Sequence, residues 1–420
     1  MYTTLGIHTQ NTGNDSVLER IKQVGIAFTL HWAVLLVGIC SPLRNSVSRL
    51  TLTRSIADSL IQWDAQWFVN IAKYGYVFPL SAQLPFMATG NTVPFSPPYK
   101  AAAFFPELPL LIHVLGASAT VVLINALFAL CLWLMYVLIS GERSDLAFAS
   151  IMLFAVNPCS IFFSALYTET LTLLGVLLIC FGLRRPDSSR CFALSCVGAL
   201  VAAGVHDLGV FSAVFAIRFI RLRMPMRALC FLVCAALPPA AYEWYLFNHF
   251  HTPLALIAAE GSWNRSWRPP FVNLVHTIAH GALSLNTIFI LGMVVLALWQ
   301  IGRSSHRDRA WRLDSEQQQP IVFSLETACW TACILLLGLC AYIPKHPLMS
   351  VLRFFCVLWP VYIPACTRAG TRENRCGQEY DPATSGRPEQ FAPFVYIVGG
   401  SFCAYAAIGS SLFSHGWFFQ

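Results

Sequence analysis

The sequence predicts an all-α, polytopic membrane protein, and three observations predict it. Of 420 residues, 56% are hydrophobic and only 11% are charged, far from a soluble globular composition. Apolar runs near the ~20 residues that a helical span needs recur along most of the chain. The charges between them gather in short loops, the pattern that orients spanning helices. A net charge of +7 therefore reflects arginines in membrane loops and gives no support to nucleic-acid binding.

Taken in order, residues 1–22 are polar and lack the charged, apolar and small-residue succession of a cleavable signal. Residues 23–40 read as a retained first span. A long segment, about residues 41–103, follows and carries a Pro-rich insertion at 78–100. Clear spans come at 119–139, 227–247, 283–301, 324–343, 351–366 and 392–413. Shorter or broken ones come at 104–115, 147–157, 160–182, 191–205 and 208–219. The expectation is roughly ten to twelve membrane segments in a single domain covering residues 1–420.

Orientation follows from lysine and arginine. Loops 184–190, 218–227 and 303–312 are basic, and 368–387 is a fourth polar loop. With these in the cytosol, residues 41–103, His206 and Asp207, 249–273 and 344–346 face the other side. The count then requires an odd number of crossings between Gly141 and Arg184, where two candidate segments stand. Asn157-Pro158 breaks a helix there, so a re-entrant or half-crossing element is expected. The 15 cysteines lie almost entirely in apolar runs without C-x-x-C spacing, which reads as small buried hydrophobes. There is no internal repeat of the kind that marks inverted-repeat transporters.

The most informative stretch is Trp63-Asp64-Ala65-Gln66-Trp67-Phe68. Written as one helix over 56–74, it places Ile56, Leu60, Trp63, Trp67 and Ile71 on a single face. Asp64 falls amid that face, where an acid loses hydration and gains no packing. It is the position of a carboxylate that meets a substrate at a membrane surface. The structural alternative is an interfacial acid that reaches back to water. Trp63, Trp67 and Phe68 read either as an aromatic belt at the headgroup level or, for Trp67, as a sugar-stacking ring.

Three blocks together resemble the GPI mannosyltransferase 2 family. The first is Trp63-Asp64-Ala65-Gln66-Trp67-Phe68 with Ile71-Ala72 and Gly75-Tyr76; the second is Ala103-Phe104-Phe105-Pro106 with Leu108-Pro109. The third, Asn157-Pro158-Cys159-Ser160-Ile161-Phe162-Phe163-Ser164-Ala165-Leu166-Tyr167-Thr168-Glu169, is the most specific. Arg353-Phe354 extends the likeness toward the C-terminus. One departure is plain: the family usually carries Arg-Ser-Asn-Gly after the third block, and this chain reads His206-Asp207-Leu208-Gly209. Trp263-Asn264-Arg265-Ser266-Trp267 is loosely similar to a Trp-rich family motif.

The resemblance implies a GT-C-type glycosyltransferase of the endoplasmic-reticulum membrane, with 41–103 as its first luminal loop. It implies dolichyl-phosphate-mannose as donor and a GPI precursor glycolipid as acceptor. The product would be α1,6-linked, formed with inversion, with a place left for a small membrane partner subunit. Asp64 is then the candidate general base. Trp63 and Trp67 are candidate substrate contacts. Glu169 either orients a basic residue or the acceptor hydroxyls, or forms a buried structural pair. Arg353, with Lys345 and His346 nearby, is the candidate phosphate contact, or else a snorkelling flank charge. His206, Asp207 and Glu243 have no assigned role. No D-x-D, P-loop or H-E-x-x-H pattern occurs, so neither a metal nor a cofactor is called for, although a metal held by Asp64 stays open. Two other readings remain: a related dolichyl-phosphate-sugar transferase with a different acceptor, and a polytopic transporter.

Overall fold

The computed structural model describes residues 12–41, 56–77, 84–85, 92–93, 100–141, 144–263, 265–279, 284–311, 321–343, 348, 350–364 and 392–414. It is a bundle of helices in which five are long and apolar enough to cross a membrane and four more are shorter apolar helices. The protein is an all-α membrane protein, as the composition requires.

Helix α1 (Thr12–Ile39) is the first span. The short α2 (Ile56–Ser59) and α3 (Asp64–Tyr74) follow as separate elements. Residues 56–74 are therefore not one helix. Trp63, at φ 56°, turns the chain between them, and Asp64 begins α3 instead of sitting mid-face. Helix α4 (Glu107–Leu115) packs on α3, and His113 Nδ1 lies 2.9 Å from the Ala72 carbonyl. Gly116, at φ 81°, then reverses the chain into α5 (Ala117–Ser140), a buried span.

Nine residues make α4 only ~14 Å long, less than half of a ~30 Å hydrocarbon core. It belongs to the layer around α3 and does not cross. The crossing expected at 104–115 is therefore not made there. Gly141, after α5, lies against the Arg184 guanidinium, so α6 (Ser144–Ala155) and α7 (Glu169–Gly182) form an up-and-down pair between two points at one end. An even number of crossings suffices there, because the missing one was never made at α4.

The break expected at Asn157-Pro158 is present. Asn157 donates from Nδ2 to the Phe154 carbonyl at 2.7 Å and accepts from the Cys159 amide at 3.0 Å, closing a turn after α6. A 3₁₀ turn follows at Ser160–Phe163. Every residue from 153 to 177 is buried, so the irregular backbone needs partners inside the protein. His31 of α1 provides two: Nδ1 donates to the Ala155 carbonyl at 2.8 Å, and Nε2 meets Ser164 Oγ at 2.7 Å. Asn125 of α5 donates to the Ser164 carbonyl at 3.1 Å.

Helix α8 (Ser189–Val205) packs closely on α7. Gly175 and Gly198 face each other there, where a Cβ on either would overlap the other helix's backbone. Extended backbone at His206 ends α8, and α9 (Asp207–Val210), a 3₁₀ turn and α10 (Ala216–Arg221) lead back across the bundle. Helix α11 (Pro225–Phe250) is a long span that exposes most of its apolar side chains, as lipid contact allows. Its Glu243 accepts from the amides of Ala255 and Leu256 at 2.6 and 3.2 Å, which caps α12 (Ala255–Ser262).

Beyond α12, the strand Ser266–Trp267 pairs antiparallel with Ala341–Tyr342. Between them run α13 (Val272–Ala279), α14 (Leu285–Trp311) and α15 (Leu325–Cys340). Asn273 donates to the carbonyls of Leu339 and Ala341, both at 3.0 Å, so the start of α13 is tied to the end of α15. The expected span at 351–366 is instead a short α16 (Val351–Cys356) followed by a 3₁₀ turn at Trp359–Tyr362. Its first residues and the turn are packed among other helices, and Pro360 prevents continuation as a regular helix. Helix α17 (Ala392–Ser414) closes the bundle against α1, where Gly38 allows the backbone at Ala407 to approach.

The two ends of the bundle differ in chemistry. At one, Arg221 pairs with Glu326 at 3.2 Å and Arg303 lies 4.0 Å over the Phe323 ring. These residues come from or adjoin the basic loops. At the other end a polar pocket opens among the loops placed on the opposite side by charge.

Candidate functional site

Asp64 is the first residue of α3, so its carboxylate lies in the first helical turn, where the helix dipole favours a negative charge. The Asp64 amide donates to Tyr167 Oη at 3.1 Å, and Tyr167 Oη reaches the Gln62 carbonyl at 3.3 Å. The third sequence block thus clamps the backbone on both sides of Trp63. The Leu166 amide adds a bond to the Leu60 carbonyl at 3.1 Å.

Arg353 of α16 reaches the same point from 289 residues away. Its Nη1 donates to Asp64 Oδ2 at 2.5 Å. Its Nε lies 3.0 Å from Glu169 Oε1 as an ion pair without hydrogen-bond alignment. The guanidinium therefore bridges two carboxylates. Their exposures separate their roles: the Asp64 side chain is 27% exposed, Arg353 11% and Glu169 2%. Glu169 backs the arginine from inside the protein, while Asp64 faces the pocket with Arg353 beside it. Arg353 is neither a snorkelling flank charge nor a free cation.

A second charged part of the lining comes from α8–α9 and from the residues around the end of α12. His206 Nδ1 pairs with Asp207 Oδ1, and Arg265 Nη1 pairs with Glu260 Oε2 at 2.6 Å. All four line the pocket with Asp64 and Arg353. Burial pushes the Asp207 carboxyl up, but His206 outweighs it, with help from Arg265, and holds it down at about 2. Burial raises Glu260 above the usual carboxylate range against the pull of Arg265. Gly209 is needed in this turn because a Cβ there would overlap the Ala202 carbonyl.

Aromatic rings form much of the remaining lining. Phe68, Phe104, Trp263 and Phe354 border the pocket. Trp67 stands behind them, stacked on Phe104 at 5.5 Å and edge-on to Trp263 at 5.3 Å. Trp63 and Trp67 are not among the lining residues. Phe104 and Trp263 are the rings on the pocket, and Trp67 packs behind them. Lys345, His346 and Asn264 lie outside the described residues.

The pocket thus holds Asp64 and Arg353, with Glu169 behind Arg353, and these are the charged positions to which the sequence assigned site roles and which lie among the described residues. It adds Tyr167, His206, Asp207, Glu260 and Arg265. Tyr167 was inside a recognised block without a role. Arg265 stood inside the Trp263–Trp267 segment without a role, and Glu260 carried no pattern of its own; the two pair only because the end of α12 brings them together.

A family model described as mannosyltransferase (PIG-V) matches residues 21–269, more than half of the chain. The Caenorhabditis elegans protein named GPI mannosyltransferase pigv-1 is 34% identical over 134 residues, which is 30% of this chain and 20% of that protein. The match thus spans about a fifth of the curated relative's length. The family match takes in Asp64, Tyr167, Glu169, His206 and Arg265 and stops before Arg353. Three sequence blocks, the pocket they build and the family model agree: the chain belongs to the PIG-V mannosyltransferase family.

Proposed function

We propose that this protein transfers mannose from dolichyl-phosphate-mannose to a GPI precursor at the luminal face of the endoplasmic-reticulum membrane, forming an α1,6 linkage. The observation that carries the reading is Asp64, held at a helix start by Tyr167 and Arg353 and turned into a pocket lined by aromatic rings. The name of the Caenorhabditis elegans relative supports the GPI precursor as acceptor.

The chemistry asked of the site is a single displacement. The acceptor 6-hydroxyl oxygen attacks the anomeric carbon, the bond from that carbon to the phosphate oxygen breaks, and a β-mannosyl phosphate gives an α-linked product. Asp64 takes the hydroxyl proton as general base. Arg353 occupies Oδ2 and leaves the second carboxylate oxygen for the hydroxyl. Glu169 is a positioning residue that holds Arg353, and through it Asp64, in register. Phe104 and Trp263, backed by Trp67, offer ring faces to a sugar. The lipid phosphate leaves as an anion and needs donors more than it needs an acid. The lipid tails of donor and acceptor stay in the bilayer while their head groups enter the pocket.

Membranes containing the protein, supplied with dolichyl-phosphate-mannose, should elongate a GPI precursor that already carries one mannose. Matched membranes without it should not. Failure to elongate that precursor, with normal insertion of the protein, would refute the reading.

A further inference from the structure

Phe354 is the meeting point of the pocket's basic groups. The guanidinium carbon of Arg353 lies 5.8 Å from its ring centre, that of Arg265 5.9 Å, and the His206 ring centre 6.0 Å. These groups come from three separate parts of the chain, and all line the pocket. Their surroundings differ. Arg353 bridges two carboxylates, and one of them, Glu169, is sealed in the protein. Arg265 has one carboxylate partner, Glu260, and the two side chains are 18% and 19% exposed. A group exposed to that degree can exchange its partner for an incoming anion. The Nδ1 of His206 is taken by Asp207. That arrangement fixes the ring, and with Nδ1–H donating to Asp207 it is the imidazolium that also carries hydrogen on Nε2, so in the ion-paired form Nε2–H can donate to an anion.

We propose that Arg265 and His206 form the phosphate-binding part of the site, beside Phe354 and in the same pocket as Asp64. The proposal rests on the transfer reading above and deepens it. The donor's phosphate oxygens accept from the Arg265 guanidinium, which releases Glu260, and from His206 Nε2. Asp207 is a positioning residue for His206. Arg353 stays with Asp64 and Glu169. The division assigns the two tasks of the reaction to different residues: the leaving phosphate to Arg265 and His206, and the attacking hydroxyl to Asp64. It also gives a role to His206 and Asp207, which stand where the family usually shows Arg-Ser-Asn. A histidine held by an aspartate stands where the resemblance places an arginine, and either cation can donate to an anion.

The test is a donor titration and a separate acceptor titration in membranes, at matched expression, for wild type, Arg265→Gln, His206→Gln and His206→Arg. Arg265→Gln and His206→Gln should each raise KM for dolichyl-phosphate-mannose by about tenfold or more, the range of a lost charge-assisted hydrogen bond. KM for the acceptor should stay near wild type. His206→Arg should recover most of the donor affinity lost in His206→Gln. Unchanged donor KM in both glutamine variants would overturn the proposal. A rise confined to the acceptor KM would also overturn it, because the anion held there would be the acceptor's own phosphate. Wild-type membranes that transfer mannose normally keep either failure distinct from failure of the transfer reading.

Discussion

At the residue scale, the site depends on one guanidinium shared by two carboxylates. Breaking a buried ion pair from one side leaves an uncompensated charge, at a cost of about 3–5 kcal/mol. Arg353→Ala should therefore lower thermal stability in detergent as well as activity, because it strands Glu169. Adding Glu169→Gln to Arg353→Ala should restore much of the stability and none of the transfer rate. Recovery of activity in the double variant would show that Arg353 serves folding alone. Arg353→Lys keeps the charge but has one ammonium where a planar fork met two carboxylates, so it should fall between wild type and Arg353→Ala in both measurements. Asp64 stood out in the sequence because an acid among Trp63, Trp67 and Phe68 has no packing use, and the structure places it on the pocket. Its partner was not. Arg353 lies 289 residues away, and nothing local to Asp64 announces that a late, broken helix will deliver an arginine to it.

At the element scale, regular periodicity was readable and its interruptions were less so. The long spans α1, α5, α11, α14 and α17 fall where apolar runs predicted them. Residues 56–74 read as one helix by spacing, yet the chain turns at Trp63, because Tyr167 and Leu166 bond the backbone on either side of it. The break after Asn157 was legible because proline and asparagine carry their own turn chemistry. Glu243 had no role by sequence, and its role proves to be a helix cap supplied by another helix. Glu243→Ala should cost about 1–3 kcal/mol, the penalty for leaving buried amides without an acceptor. It should also weaken transfer by loosening α12, which leads into Trp263 and Arg265. Thermal unfolding and transfer rate, measured on the same preparation, check this; a variant with unchanged stability would remove the cap from the account. Gly198→Val should be more damaging, since its side chain meets the backbone of α7 and the two helices cannot separate without opening the bundle.

At the scale of the whole molecule, charge in the loops and geometry in the pocket give the same division. Residues from 41–103, from the His206 turn, from 249–273 and from the start of α16 converge on one pocket, and these are the regions that lysine and arginine counting placed away from the cytosol. The Arg221–Glu326 pair and Arg303 lie at the other end. Acceptor sequons for N-glycosylation inserted in 86–91 should be modified in microsomes, and those inserted in 312–318 should not. Asn14, in a sequon before the first span, should carry no glycan; a glycan there would invert the molecule and place Asp64 in the cytosol. The central claim is that Asp64 carries the proton-transfer step, and the most direct measurement is the rate of mannose transfer to a one-mannose GPI precursor by membranes containing Asp64→Asn. Asparagine is close to isosteric and can still accept from Arg353, so insertion and expression should match wild type. The account predicts a rate lower by about 10²–10⁴-fold, as expected for loss of a general base. A rate within a few-fold of wild type at equal protein level would contradict it.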